Sequence, residues 1–144
     1  MTEQRQVNPR KAYPIDPGLI GAFDRSGRLN TGQALETAVL WELERRGFQL
    51  SYLVTPGGFE VDFLAQPAAG RPWLVQVATD VSERQTRDRE YRALSDAMKH
   101  HSHARALLLT MNRNDLETSR AQAPKGVSVE CAWEWMLGKS PDTP

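Results

Sequence analysis

A chain of 144 residues, 40% hydrophobic and 25% charged, suits one domain that buries its core without disulfide help. Its single cysteine, Cys131, excludes an internal disulfide, and 18 basic against 18 acidic residues leave no global field to draw in nucleic acid. No apolar run approaches the roughly 18 residues of a membrane span, and the polar start "MTEQRQVNPRK" lacks a signal peptide's apolar centre, so a cytoplasmic protein with no membrane partner is expected.

In chain order, residues 1–9 read as a flexible arm, 10–137 as one domain and 138–144 as a flexible tail. In "AYPIDPGLIGAF", Asp16 is placed to cap a short helix whose first residue is Pro17. "GQALETAVLWELERRG" repeats Leu35, Val39 and Leu43 at helical spacing and stops at Gly47. "FQLSYLVT" and "FEVDFLA" read as strands around a "PGG" turn, and "RPWLVQVAT" as a third strand after the loop "QPAAG". Ser82 and Gln85 match a capping box opening a helix to about His100, with Tyr91, Leu94 and Met98 facing the core. "RALLLT" and "GVSVEC" are short strands, and "AWEWML" a closing helical turn. The order of helix, three strands, helix, strand implies an α/β fold with a mixed sheet flanked by helices.

The hairpin formed by "FEVDFLA" and "WLVQVAT" fixes what faces what. With Ala65 opposite Trp73, paired residue numbers sum to 138, so Asp62 lies opposite Gln76 and Glu60 opposite Ala78. Phe59, Val61, Phe63, Trp73, Val75 and Val77 then share an apolar face expected to be the main core. The acids take the other face, which the helix from Gly32 is expected to cover. Glu36 precedes Leu40 by four and Leu43 by seven, beside that helix's buried stripe, so Glu36, Glu60, Asp62 and Gln76 are expected to converge.

A helix glutamate, a strand aspartate and a following strand with an acid or glutamine resemble the PD-(D/E)xK superfamily of restriction-endonuclease-like domains. More closely, "DPGL", "ALETAVLWELERRG", "EVDF", "WLVQVATDVS" and "ARALLLT" are similar to the uncharacterised C-terminal domain of bacterial and archaeal P-loop (AAA-type) ATP-binding proteins. The similarity covers about Arg10 to Leu137. It implies a restriction-endonuclease-like core, a P-loop ATPase partner, and a site for Mg²⁺ or Mn²⁺ held by Asp62 and Glu36, with Glu60 near. Phosphodiester cleavage at such a site needs oxygen ligands for the metal and a lysine beside its water. Gln76 takes the second strand's acid position, and Ala78 stands where the lysine should be. The chain's only lysines, Lys11, Lys99, Lys125 and Lys139, lie off these strands. Arg84 and Arg87, early in the next helix, are the candidates to contact a nucleic-acid phosphate.

Plainer readings compete. Glu60 and Asp62 also suit edge-strand acids that discourage aggregation, and Glu36 an ion pair with Arg28 or Arg84. "SERQTRDREYR" reads as a solvated face with Glu83–Arg87 and Asp88–Arg92 pairs. His100, His101 and His103 sit at a helix C-terminus, where basic groups complement the dipole. "GKS" at 138–140 lacks the first glycine of a phosphate loop, whose place Trp133 holds. Trp133 and Trp135 read as core, and Cys131 as a buried thiol. The resulting expectation is a nuclease-like module that binds or regulates without cleaving, because the lysine position is Ala78. Its alternatives are a Mg²⁺-dependent DNA or RNA nuclease using Asp62 and Glu36, and an interaction domain sharing only the scaffold.

Overall fold

The computed structural model describes residues 13–23, 30–114 and 116–138. The expected flexible arm at 1–9, all of the expected 138–144 tail but Gly138, and Lys11, Arg28 and Lys139 lie outside them. The elements are α1 (Gly18–Phe23), α2 (Thr31–Arg45), β1 (Gln49–Val54), β2 (Glu60–Gln66), β3 (Trp73–Ala78), α3 (Arg84–His100), β4 (Arg105–Thr110), α4 (Leu116–Gln122), β5 (Val127–Cys131) and α5 (Ala132–Met136). They form an α/β fold around one five-stranded mixed sheet in the order β1-β2-β3-β4-β5. The first three strands are an antiparallel meander, and α3 and α4 then cross over to add β4 and β5 in parallel.

Local chemistry accounts for the first elements. The Asp16 carboxylate accepts from Gly18 N at 2.7 Å and so starts α1. Asn30 caps α2 by accepting from Gln33 N at 3.1 Å. Leu35, Val39 and Leu43 are buried at the expected spacing, and Gly47, at φ 81°, takes the left-handed turn that ends α2. The Ser82–Gln85 capping box does not form. Instead Asp80 accepts from Ser82 N at 2.7 Å, and Arg87 holds the start of α3 by donating to the carbonyls of Val81 (2.8 Å) and Ser82 (3.2 Å). Helix α4 was not legible in "LETSRAQ", where Leu116 and Ser119 are the buried positions.

The division of the sheet's faces differs from expectation. β2 and β3 pair in the expected register, Ala65 with Trp73, Leu64 with Leu74 and Phe63 with Val75. Helix α2, however, covers the face of Phe63, Ala65, Trp73 and Val75, while α3 covers that of Leu74 and Ala78, so the sheet has two cores. Val61 departs from the regular alternation because of an irregularity against β1. Ser51 pairs with Leu64 but Leu53 with Val61, so β2 carries one additional residue there. That irregularity inverts the alternation: Val61 packs into the α3 core although Phe63, two residues on, packs under α2. Covered on both faces, β3 is apolar at every position except Gln76, as "WLVQVA" shows.

At the far end of the fold Trp135 is fully buried, whereas Trp133 is 41% exposed and not a core residue. Cys131 is a buried free thiol. Among the described residues no helix is long and apolar enough to cross a membrane.

Candidate functional site

The irregularity in β2 falls at Asp62, where β2 and β3 stop exchanging main-chain hydrogen bonds. The paired register ends at Phe63 and Val75, and side chains close the gap beyond it. Asp62 N donates to Gln76 Oε1 at 3.2 Å, and Val77 N donates to Asp62 Oδ2 at 3.0 Å. Each side chain thus satisfies a main-chain N–H of the other strand's segment.

Gln76 extends the network to α3. Its Nε2 donates to Glu90 Oε2 at 2.7 Å, and Arg89 grips Glu90 Oε1 through Nε at 3.0 Å and Nη2 at 2.6 Å. The Glu90 side chain is only 5% exposed, so this carboxylate is buried with both oxygens engaged. The orientation of the Gln76 amide follows from its partners: its oxygen faces an N–H and its nitrogen a carboxylate.

On the other side of the sheet the Tyr13 hydroxyl donates to Glu36 Oε1. The Tyr13 ring lies 6.1 Å from that of Phe63, on the α2 side. Burial, then the hydrogen bond to Glu36 and the negative charges of Glu36 and Asp62, push the phenol's pKa well above its ordinary value. Tyr13 therefore keeps its proton and remains a donor.

The expected convergence is partial. Asp62 and Gln76 meet, and Glu36 and Asp62 both act on Tyr13. Gln76 instead turns to α3 and Glu90 rather than toward α2. Glu60 is exposed at the start of β2, paired in register with Val54. Ala78 is 8% exposed within the α3 core. Arg87 is buried, 6% exposed, and bound to carbonyls rather than paired with Glu83. Arg84 is exposed and pairs with Asp88 at 3.4 Å, while Arg92 donates to the Asp88 carbonyl at 3.3 Å.

Sequence reasoning missed Tyr13, Arg89 and Glu90. A signal for Glu90 existed: it lies four residues before Leu94 and three after Arg87, on the buried stripe of α3. For Tyr13 there was none, because its partner is 23 positions away.

The donor set does not suit a hard divalent cation in this arrangement. Magnesium and manganese take several oxygen ligands with charge to spare. Here the Gln76 oxygen faces an amide N–H, both Glu90 oxygens face donors, and Glu36 accepts from Tyr13. Among the described residues no group of three or more histidine, cysteine, aspartate or glutamate side chains is disposed to hold a metal ion. No family model matches the chain, and no curated protein or solved structure does.

Proposed function

We propose that this chain is a restriction-endonuclease-like module, akin to the C-terminal domain of P-loop ATP-binding proteins, that binds or regulates and does not cleave. The observation that carries the reading is the position of Gln76, bound between Asp62 N and Glu90. A residue at the second acid position that is neutral and engaged at both ends offers a metal neither charge nor a free oxygen. Ala78 then leaves no cation to orient a water, and the nearby guanidiniums of Arg87 and Arg89 are bound to main chain and to Glu90. Losing one preorganised charge stabiliser commonly costs roughly a hundred- to a thousand-fold in rate. Asp62 and Glu90 therefore act as acceptors that pin β2 to β3 and β3 to α3, and the scaffold serves an ATPase partner or a nucleic acid.

The test is cleavage of linear, circular, branched and single-stranded DNA and of RNA, with Mg²⁺ and with Mn²⁺. Wild type is expected to be silent. Calorimetry is expected to find no Mg²⁺ or Mn²⁺ binding that Asp62→Ala abolishes. The double change Gln76→Glu, Ala78→Lys restores the missing groups, and activity in it alone would identify a disarmed site. Cleavage by wild type that disappears in Asp62→Ala would overturn the reading and make the chain a metal-dependent nuclease.

A further inference from the structure

In a chain with balanced charge, cations without partners are the ones free to act outward. Among the described residues, most arginines are engaged with Glu42, Asp88, Glu90 or Glu134 or with main-chain carbonyls, and Lys99 is bound to Asp96. Arg71, Arg105 and Lys125 have no such partner among the described residues, and all three are exposed.

The topology brings these three together. Arg105 opens β4 in register with Trp73, and Arg71 precedes Trp73 by two residues. Arg105 N donates to Pro72 O at 2.8 Å, holding the starts of β3 and β4 side by side. Ala106 pairs with Val127, so Lys125 lies just before the start of the next strand, β5. Adjacent strands lie about 4.8 Å apart, so the three strand starts form a row roughly 10 Å across. The Arg105 guanidinium lies 5.5 Å over the Trp73 ring, which restrains it.

Other polar groups lie around the rim. His100, at the end of α3, and His103, on the segment leading into β4, are exposed. Asp96 is bound to Lys99, and Glu44, near the end of α2, is the exposed carboxylate which that helix brings toward this end. None of the large exposed apolar side chains belongs to residues 70–72, 99–105 or 124–126. The rim therefore lacks the apolar anchors by which a peptide or lipid layer would be held.

We propose that the Arg71–Arg105–Lys125 rim binds the phosphodiester backbone of a nucleic acid, without regard to sequence. A row of exposed cations, unpaired among the described residues, supplies what backbone binding requires, charge that displaces counterions, and guanidinium matches phosphate in shape as well as charge. The rim is at the end of β3 where Trp73 begins, away from Gln76 and Ala78, and so does not depend on the reading of that site. It also differs from the Arg84 and Arg87 contacts expected from the sequence.

The experiment is a fluorescence-anisotropy titration of a short labelled DNA duplex with the full chain, repeated from about 50 to about 200 mM salt. The variants are Arg71→Ala/Arg105→Ala/Lys125→Ala and, as a control, Arg84→Ala/Arg92→Ala on α3. Each phosphate contact contributes about 0.9 to the salt slope, so the rim variant is expected to lose about 2–3 from it, and tenfold or more in affinity at low salt. The control is expected to keep both. If the triple variant loses the wild-type thermal transition, the exposed single changes Arg71→Ala and Lys125→Ala are each expected to reduce the slope by about one. The proposal is overturned by no wild-type binding at low salt, by a folded rim variant that binds like wild type, or by the larger loss falling on the control. It is equally overturned if polyglutamate or phosphatidylserine vesicles are retained more strongly than the duplex.

Discussion

Gln76 shows how one side chain links three elements. It lies on β3, receives the N–H of Asp62 from β2 and donates to Glu90 of α3. Replacing it by leucine keeps much of the volume but leaves a buried carboxylate oxygen and a strand N–H without partners. Such groups cost about 1–3 kcal/mol each. Gln76→Leu is therefore expected to lower stability by roughly 3 kcal/mol, read as a fall in urea midpoint with an unchanged slope. Leucine at the exposed Gln66 serves as the control. A loss at Gln76 no larger than at Gln66 would mean that the network is not what joins these elements.

Among elements, the β1–β2 turn shows how a loop is held to a helix. Thr55 Oγ1 accepts from Phe59 N at 3.1 Å, and Thr55 N donates to Phe59 O at 2.8 Å, closing "TPGGF" into a compact turn. The turn then meets α3 at Asp96. A methyl group at Gly57 would lie 2.6 Å from Asp96 Oδ2 and 3.1 Å from the Phe59 ring, so a larger residue there must displace a side chain. The Thr55 hydroxyl, then Lys99, favour the charged form of Asp96 and hold its pKa below the usual value. A depressed carboxyl stabilises the fold above its unfolded pKa, about 3.9, and that contribution disappears as pH falls through the lower folded value. Asp96→Asn is thus expected to reduce stability near neutral pH and to converge with wild type in acid. Parallel pH dependence of the two unfolding midpoints would count against this tether.

For the whole molecule, the two cores predict where the fold is hardest to open. β3 and β4 lie centrally, with α2 and α5 packed on one face and α3 and α4 on the other. β1 is at an edge, with Gln49, Ser51 and Val54 exposed and no residue fully buried. Amide exchange is therefore expected to be slowest at Leu74–Val75 and Leu107–Leu109, requiring global unfolding, and faster by local opening in β1. Comparable protection in β1 and β3 would show that the sheet opens as a single unit.

What the sequence determined by itself is what short-range periodicity and turn chemistry control. Leu35, Val39 and Leu43 marked the buried stripe of α2, Gly47 its end, and Ala65 opposite Trp73 the hairpin register. Asp62 and Gln76 were legible as neighbours for the same reason, since a hairpin's register follows from its loop. Which helix covers which face was decided only in the tertiary structure. The additional residue in β2 opposite β1 inverts the alternation between Phe63 and Val61, and a period of two read along one strand cannot register a slip that exists only relative to its neighbour. The partners of the acids were hidden likewise: Glu90 meets Gln76 across 14 positions and Tyr13 meets Glu36 across 23. The row of Arg71, Arg105 and Lys125 exists only because parallel pairing brings the starts of three strands together. Charges dispersed along a balanced sequence become a surface only when crossovers align the strands that carry them.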